Sequence, residues 1–554
     1  MSDVRTIADE LARFQRLVLL VIFSTLFSVF YVTLDANPKP QFSVEAVQQS
    51  VYAQTSVFHP KPPAPPTGFS ALEQGGIVRL TWNPSLTTTL QYKLFRQELP
   101  TGSSHEIGSF IGGEPHEYVD RHLVNTFTYV YTMVSCYTGS SGQVCSQPTN
   151  PVSVKSKATQ FVGASNNFFD WSTDRCGDLD FTDLPVRAFR DANNLIHLIS
   201  PNISSRQWVG PDFNHLTHRC ETTLGSNQKS APAQFDDLEW LAAPYTEDGS
   251  TVHALLHMEF RGYTHPDHPE LCSTGQTHSQ CQFDALTSAV STDGGNHFTH
   301  GTGPSHLVTS YNQRYDGMNG LYGYGEPSNI VRNPNDGYFY FTSQSIYTDG
   351  SGHTNSVACM NRFSDFSFSD LRGYGHSPNT GDSFAIRYIN PYLPDPDPGS
   401  IHDCAGLVAY LQLPLDKPIP FFLEGQSLTY NTFFQKWMLV GVGIYPIRED
   451  SRSGYSGVNG VFYYLSDDLI NWSGPYLLFE HSLGNSWHQG DPDPIKYVSV
   501  IDPTSTSRNF ETTSDQFDLY ATVIRYSETG GVWGPHNYNA DLVKMTVRLI
   551  PPLQ

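Results

Sequence analysis

One pattern recurs five times between about residue 156 and residue 554: an acidic residue, a short apolar run, a turn, and a second apolar run. The first runs open at Asp183-Leu-Pro-Val-Arg-Ala-Phe, Asp237-Leu-Glu-Trp-Leu, Glu326-Pro-Ser-Asn-Ile-Val, Glu424-Gly-Gln-Ser-Leu-Thr-Tyr and Asp491-Pro-Asp-Pro-Ile. The second runs are Ile196-His-Leu-Ile199, Val252-His-Ala-Leu-Leu-His257, Tyr338-Phe-Tyr-Phe341, Trp437-Met-Leu-Val440 and Leu519-Tyr-Ala-Thr522. Recurrence at a long period marks a fold built from equivalent units. Tyr, Phe and Val fill the runs, while Gly, Asn, Asp and Pro separate them, so each unit reads as a small antiparallel sheet. Five units of about 80 residues, with loops inserted on one face, predict an all-β chain whose residues 156–554 form a five-bladed β-propeller. Two hairpins agree with this: Ser291-Thr-Asp-Gly-Gly-Asn-His-Phe298 has the Asp-box form S-x-D-x-G, and Leu465-Ser-Asp-Asp-Leu-Ile-Asn-Trp472 is comparable. In both, the acid and glycines serve the turn and the aromatic plugs the space between blades, a role in folding and not in chemistry.

Upstream, residues 67–155 carry shorter alternating runs, such as Val78-Arg-Leu-Thr-Trp82 and Thr128-Tyr-Val-Tyr-Thr-Met-Val134, spaced as in a β-sandwich. This stretch resembles a fibronectin type III domain, with Pro65-Pro-Thr-Gly-Phe-Ser-Ala-Leu72 at its start, Trp82 in the second strand and Tyr129 at the family's corner position. Such a module is expected to act as a spacer and can also carry a protein partner. Residues 35–66, with Pro38, Pro40, Pro60 and Pro62-Pro-Ala-Pro-Pro66, read as a semi-rigid linker. Residues 1–34 end in Leu17–Leu34, an uncharged run long enough to span a bilayer, preceded by Arg5, Arg13 and Arg16 and followed by Asp35. The bias in positive charge predicts a single transmembrane anchor, with a short cytoplasmic tip and the bulk of the chain extracytoplasmic.

Eight cysteines suit an oxidising compartment. Proximity suggests Cys136–Cys145 and Cys272–Cys281, and the remaining four are paired as Cys176–Cys220 and Cys359–Cys404. There is no CxxC and no zinc-type Cys/His spacing, so no metal site is predicted. With 32 Lys and Arg against 54 Asp and Glu, the net charge of −22 repels phosphate backbones. Without a basic cluster to offset it, nucleic acid is excluded as a partner.

The first strand of each propeller blade lines the central axis, so acids at the starts of those strands converge on one end of it. Crowded carboxylates push one another's pKa values apart, which suits a general acid and a general base. Asp183, Glu326, Glu424 and Asp491 mark four of these starts, and Asp236, Asp237 and Glu239 crowd the remaining one. Tyr324 is among the aromatics placed to meet a sugar ring. His257-Met-Glu259-Phe-Arg261-Gly-Tyr-Thr-His265 is the densest polar cluster and reads as a substrate-binding loop pinned by Cys272–Cys281. Asp395-Pro-Asp-Pro and Asp491-Pro-Asp-Pro are rigid loops, rich enough in oxygen to hold a structural Ca2+. No cofactor is required.

Thr182-Asp183-Leu-Pro185 with the strand pair that follows, Gly323-Tyr-Gly-Glu326-Pro-Ser, and the hairpin ending at Trp472 resemble the five-bladed glycoside hydrolases of families 43, 32, 62 and 68. In this sequence Leu184 stands between the aspartate and the proline, and the third acid could be Asp236, Asp237 or Glu239. The resemblance implies Asp183 as nucleophile or general base, Glu326 as general acid and Asp237 as the acid that orients the sugar and tunes Glu326. Arg187, His257, Glu259, Tyr324, Glu424 and Asp491 would contact a glycan or polysaccharide. Two other functions are consistent with the sequence: a non-catalytic propeller that binds glycan or protein, and an exo-sialidase. The latter needs three arginines gripping one carboxylate, drawn from Arg175, Arg187, Arg261 and Arg332.

Overall fold

The structure is a computed structural model. It describes residues 62–549 except 75–76, 84–90, 100–102, 112–115, 121–127, 140–141, 156–158, 163–164, 273–280, 318–319, 349–353, 378–380, 399, 401, 403, 405–409, 412–418, 421–422, 451–453, 485–486 and 533–537. The expected anchor Leu17–Leu34 and nearly all of the Pro-rich linker lie outside the described residues. Among the described residues no helix is long and apolar enough to cross a membrane.

Strands between Thr67 and Lys155 form a three-stranded and a five-stranded antiparallel sheet. Their inward side chains, Val78, Leu80, Trp82, Tyr92, Leu94, Tyr129, Tyr131 and Met133, make one core. Tyr129 is fully buried beside the Arg96 guanidinium, and Tyr131 donates its hydroxyl to Asp120 at 2.8 Å. Alternation in each run sends one face inward, as expected for a sandwich.

The rest of the chain is a series of five antiparallel meanders in a propeller-like arrangement. The first comprises Arg187–Arg190, Ile196–Ser200, Ser204–Gly210 and Thr217–Gly225. In the second, Leu238–Tyr245, Val252–Arg261 and Gln282–Ser291 are followed by two short strands on the last of these. The innermost strand of the third is broken into Tyr322–Gly325 and Val331–Arg332, both paired with Phe339–Thr348. The fourth is Glu424–Asn431, Lys436–Asp450, Gly454–Ser466 and Trp472–Glu480. The fifth is built from Ile495–Ile501, Gln516–Ile524 and Ala540–Leu549, and its outer place is filled by Asn166–Phe169 from the start of the region. Pairing an early strand with the last one ties the two ends together and covers an edge that would otherwise be exposed.

The second runs of the sequence pattern lie in strands, save for Tyr338 at the edge of the third, but of the first runs only those opening at Asp237 and Glu424 do, from Leu238 and Glu424 onward. After Asp183, Glu326 and Asp491 the strand begins only at Arg187, Val331 and Ile495. Pro492 and Pro494 have no N–H to give a sheet, so the acids there stay in a loop.

Both polar hairpins act in folding. Asp293 accepts the Ser291 hydroxyl at 2.7 Å and the His297 backbone N–H at 3.0 Å. Phe298 then packs with Phe189, Ile199 and Leu241, between the first and second meanders. Gly295 sits at φ +91° with the Phe189 ring where a Cβ would stand, so both the turn and the packing require glycine. Asp468 likewise accepts from the N–H groups of Ile470 and Asn471, and Trp472 packs on the core beside it. The cysteines are paired as Cys136–Cys145, Cys176–Cys220, Cys272–Cys281 and Cys359–Cys404, all four as expected.

Candidate active site

The inner strands deliver a group of carboxylates to one place. Asp183, just before the first inner strand, accepts the Trp240 indole N–H at Oδ2 (3.2 Å) and the Tyr497 hydroxyl at Oδ1 (3.3 Å). Trp240 comes from the second inner strand and Tyr497 from the fifth, so one aspartate is held by two other meanders. Glu424 opens the fourth inner strand and lies 3.8 Å from Lys496 of the fifth. The charges of Asp183, Glu326, Glu424 and Glu259 all act on the Tyr497 phenol and, with its burial, raise its pKa well above the ordinary value. The acids of four meanders thus surround one tyrosine.

Three inner strands leave regular geometry at this level. Glu326 has φ +43°, Gly425 +62° and Tyr497 +54°. Pairing registers slip between Glu424 and Ser427 and between Lys496 and Ser499. A bulge re-aims side chains, and left-handed non-glycine residues concentrate at functional sites.

The electrostatics separate the acids. Burial pushes the Glu326 carboxyl up to about 8, helped by the Glu424 charge and opposed by His257, Lys496 and the Gly425 N–H. Glu326 Oε2 is buried without a hydrogen-bond partner among the described residues. Asp183 rises to about 6, chiefly by burial and then by the Glu259 charge, while Lys496, Arg261 and the Trp240 hydrogen bond hold it back. Neither forms an ion pair with another described residue. Glu259 goes the other way. Burial alone would raise it, but Arg261 and His257 outweigh that and hold it at about 2.

His257 sits between these groups. Its Nε2 lies 3.0 Å from Glu259, and its Nδ1 accepts the backbone N–H of Glu326 at 3.2 Å. That second bond requires the neutral Nε2–H tautomer, even though Glu259, Asp284 and Glu326 pull the ring toward imidazolium against the effect of its burial. Protonation would set that Nδ1–H against the Glu326 N–H, so the surrounding charges and this hydrogen bond favour opposite states of the ring. Gly325 is required here because a Cβ would lie 2.6 Å from the imidazole. His257, Glu259 and Asp284 offer donor atoms within 4.8 Å of one another, but Arg261 already neutralises Glu259, which leaves this trio poorly suited to a cation.

Of the residues expected at the site, Asp183, Glu326, Glu424, His257 and Glu259 come together. Asp237 does not share their surface: it is fully buried, accepts the Arg261 N–H at 2.9 Å and faces His265 at 3.1 Å, so it anchors the 261–265 loop. Tyr324 is fully buried, with its hydroxyl on the His402 carbonyl, and offers no platform. Arg187 is buried and donates to the Gln426 carbonyl and to Ser499. Asp491 is exposed and accepts the His488 N–H. Arg175 lies on Trp171, Arg261 pairs with Glu259 and Arg332 with Glu247. With Arg187 buried, no three of these arginines converge among the described residues, which removes the sialidase alternative. The carboxylates of the two Asp-Pro-Asp-Pro loops lie beside His402, Arg387, His488 and Arg525. Tyr497 and Lys496 were missed because the fifth strand begins four residues beyond the acid that marked it.

No family model matches the chain, and no curated protein matches it. Among solved structures, an α-L-arabinanase of Cellvibrio cellulosa is 10% identical over 65% of this chain and 90% of its own, with a TM-score of 0.34. A sucrose-6-phosphate hydrolase from Lactobacillus gasseri is 10% identical over 67% of this chain and 62% of its own, with a TM-score of 0.36. A Fn3-like protein from Clostridium thermocellum is 23% identical over 19% of this chain and 98% of its own, with a TM-score of 0.15. All three TM-scores lie below 0.5, so these likenesses establish no kinship.

Proposed function

We propose that the five meanders are the blades of a β-propeller and that its axial acids hydrolyse an O-glycosidic bond in a glycan. The observation that carries this reading is the pair Asp183 and Glu326. They come from different meanders, are partly accessible, lie free of ion pairs among the described residues, and are held at different pKa values. At neutral pH Glu326 keeps its proton and can give it to the departing glycosidic oxygen. Asp183 is then mostly ionised and acts as base or nucleophile on the opposite side of an oxocarbenium-like transition state. Trp240 and Tyr497 fix the direction of the Asp183 carboxylate. The Glu259–Arg261–His257 group supplies fixed charge and donors for sugar hydroxyls.

A non-catalytic glycan-binding propeller is the second reading. The observation that favours it is the immobilisation of Asp237, the acid expected to tune Glu326, on Arg261 and His265. Four disulfides support an extracytoplasmic location, and Leu17–Leu34 supports attachment to a membrane.

The test is release of reducing ends from a panel of polysaccharides and aryl glycosides by the purified chain and by its Glu326→Gln variant. Hydrolysis that the variant loses while retaining its fold supports the enzyme. Saturable binding by both proteins with release by neither assigns the chain to the second reading.

A further inference from the structure

A second polar cluster lies in the second meander, apart from the acids around Tyr497. Asp236 and Glu239 belong to the segment that opens this inner strand, and His300 and His306 to the segment after the Asp-box hairpin. Their donor atoms all lie within 4.8 Å of one another. Glu239 is fully buried, His306 is 3% exposed, and the side chains of Asp236 and His300 are 10% and 11% exposed. We propose that Asp236, Glu239, His300 and His306 form a closed binding site for a zinc-class divalent cation, which pins the 299–306 segment to the second inner strand.

Three observations point the same way. First, the separations fit a shared ion better than direct hydrogen bonds. His300 Nδ1 lies 3.6 Å from Asp236 Oδ1 and 3.7 Å from Glu239 Oε2, and His306 Nε2 lies 3.5 Å from Glu239 Oε1. Direct hydrogen bonds would close to about 2.7–3.2 Å. Donors placed about 2.1 Å from a tetrahedral ion stand roughly 3.4 Å apart. Second, Glu239 Oε2 is buried without a hydrogen-bond partner among the described residues. A buried carboxylate oxygen with no donor is strongly unfavourable unless a cation neutralises it. Third, the carboxylates are already oriented from behind. Thr287 donates to Glu239 Oε1 at 2.5 Å, and Asn227 donates to both oxygens of Asp236 at 2.9 and 3.1 Å. Such supporting bonds hold metal ligands in place.

His306 Nε2 donates to the Phe235 carbonyl at 3.1 Å, a bond that an ion held on this nitrogen would replace. Two imidazoles and two carboxylates suit zinc or a neighbouring d-block ion, whereas calcium takes six to eight oxygens. Burial on all sides makes the site structural. Its consequence for the rest of the molecule is positional, because Trp240, which holds Asp183, follows Glu239 directly.

The test uses the full chain, purified without chelator, with metal content measured by elemental analysis. The metal-stripped chain is then titrated with Zn2+ and, separately, with Co2+ while visible absorption is recorded. About one equivalent of tightly held metal and a tetrahedral-type Co2+ spectrum are expected. His300→Ala and Glu239→Gln should each weaken Zn2+ affinity by about 10–100-fold. His297→Ala, on an exposed imidazole paired with Asp293, should leave it unchanged. The wild-type stoichiometry and spectrum decide the matter even if a variant misfolds. A wild-type chain that carries no metal and takes up no Zn2+ overturns the proposal. Uptake that His300→Ala and Glu239→Gln both leave intact overturns it as well.

Discussion

Tyr497 holds the Oδ1 of Asp183 at 3.3 Å from a left-handed backbone position, φ +54°, inside the fifth inner strand. The bulge there turns a residue that would otherwise lie along the strand toward the first meander. Tyr497→Phe keeps the ring and removes the hydroxyl. A hydrogen bond to a charged group contributes about 1.5–3 kcal/mol. The variant should therefore lose roughly 10–100-fold in kcat with KM changed far less, as steady-state kinetics on a cleaved substrate would show.

Activity should follow a bell in pH. The reaction needs Asp183 ionised, which fails below about 6, and Glu326 protonated, which fails above about 8. Trp240→Phe removes a donor that stabilises the Asp183 carboxylate, so it should move the acid limb upward and leave the alkaline limb in place. A kcat/KM profile of both proteins checks this; an unmoved acid limb would detach Asp183 from it.

Glu326 should weaken the fold as pH rises. Its pKa is about 8 in the folded chain against an ordinary 4.5, so between those values the folded state binds more protons than the unfolded one. Stability then falls with increasing pH across that window. Glu326→Gln removes the penalty, so its Tm should match the wild type near pH 4.5 and exceed it by about 1–3 °C at pH 8.5. Thermal melts at the two pH values decide; a variant less stable at pH 8.5 would contradict the assigned burial cost.

The Asp-box acid should matter for stability alone. Asp293→Ala leaves the N–H of His297 and the hydroxyl of Ser291 without their acceptor, for a loss of about 1–2 kcal/mol in denaturant unfolding. Turnover per folded molecule should not change, because no group of this hairpin reaches the acids around Tyr497.

The cysteines should be inert until the chain is reduced. All eight are paired, so alkylation of the native protein should add no label, and alkylation after denaturing reduction should add eight. Replacing Cys359 and Cys404 together by Ser should cost about 2–4 kcal/mol, read from unfolding midpoints.

Local chemistry made much of this molecule legible in the sequence. Period-two alternation and turn residues act over a few positions, so the strands, the two polar hairpins and the sandwich core around Trp82 could be read from neighbours along the chain. Two disulfides followed from short spacings; Cys176–Cys220 and Cys359–Cys404, 44 and 45 residues apart, were closed by the fold. The acids at Asp183, Glu326 and Glu424 were recognisable because the pattern repeats. What an acid does there was not. Asp237 and Glu239 sit two residues apart and face different partners, the first His265 and the Arg261 N–H, the second His306 and Thr287.

Only the tertiary structure could decide those partnerships. For Asp183, burial, approach of a second charge and hydrogen-bond supply depend on residues far along the chain, such as Trp240 and Tyr497, 57 and 314 positions away. Tyr497 became a site residue because two prolines delayed a strand and a bulge turned its side chain. His300 and His306 met Asp236 and Glu239 because the meander folds back on itself. The sequence determined which segments become sheet; packing of those sheets against one another determined which side chains share an environment, and electrostatics acts through that environment.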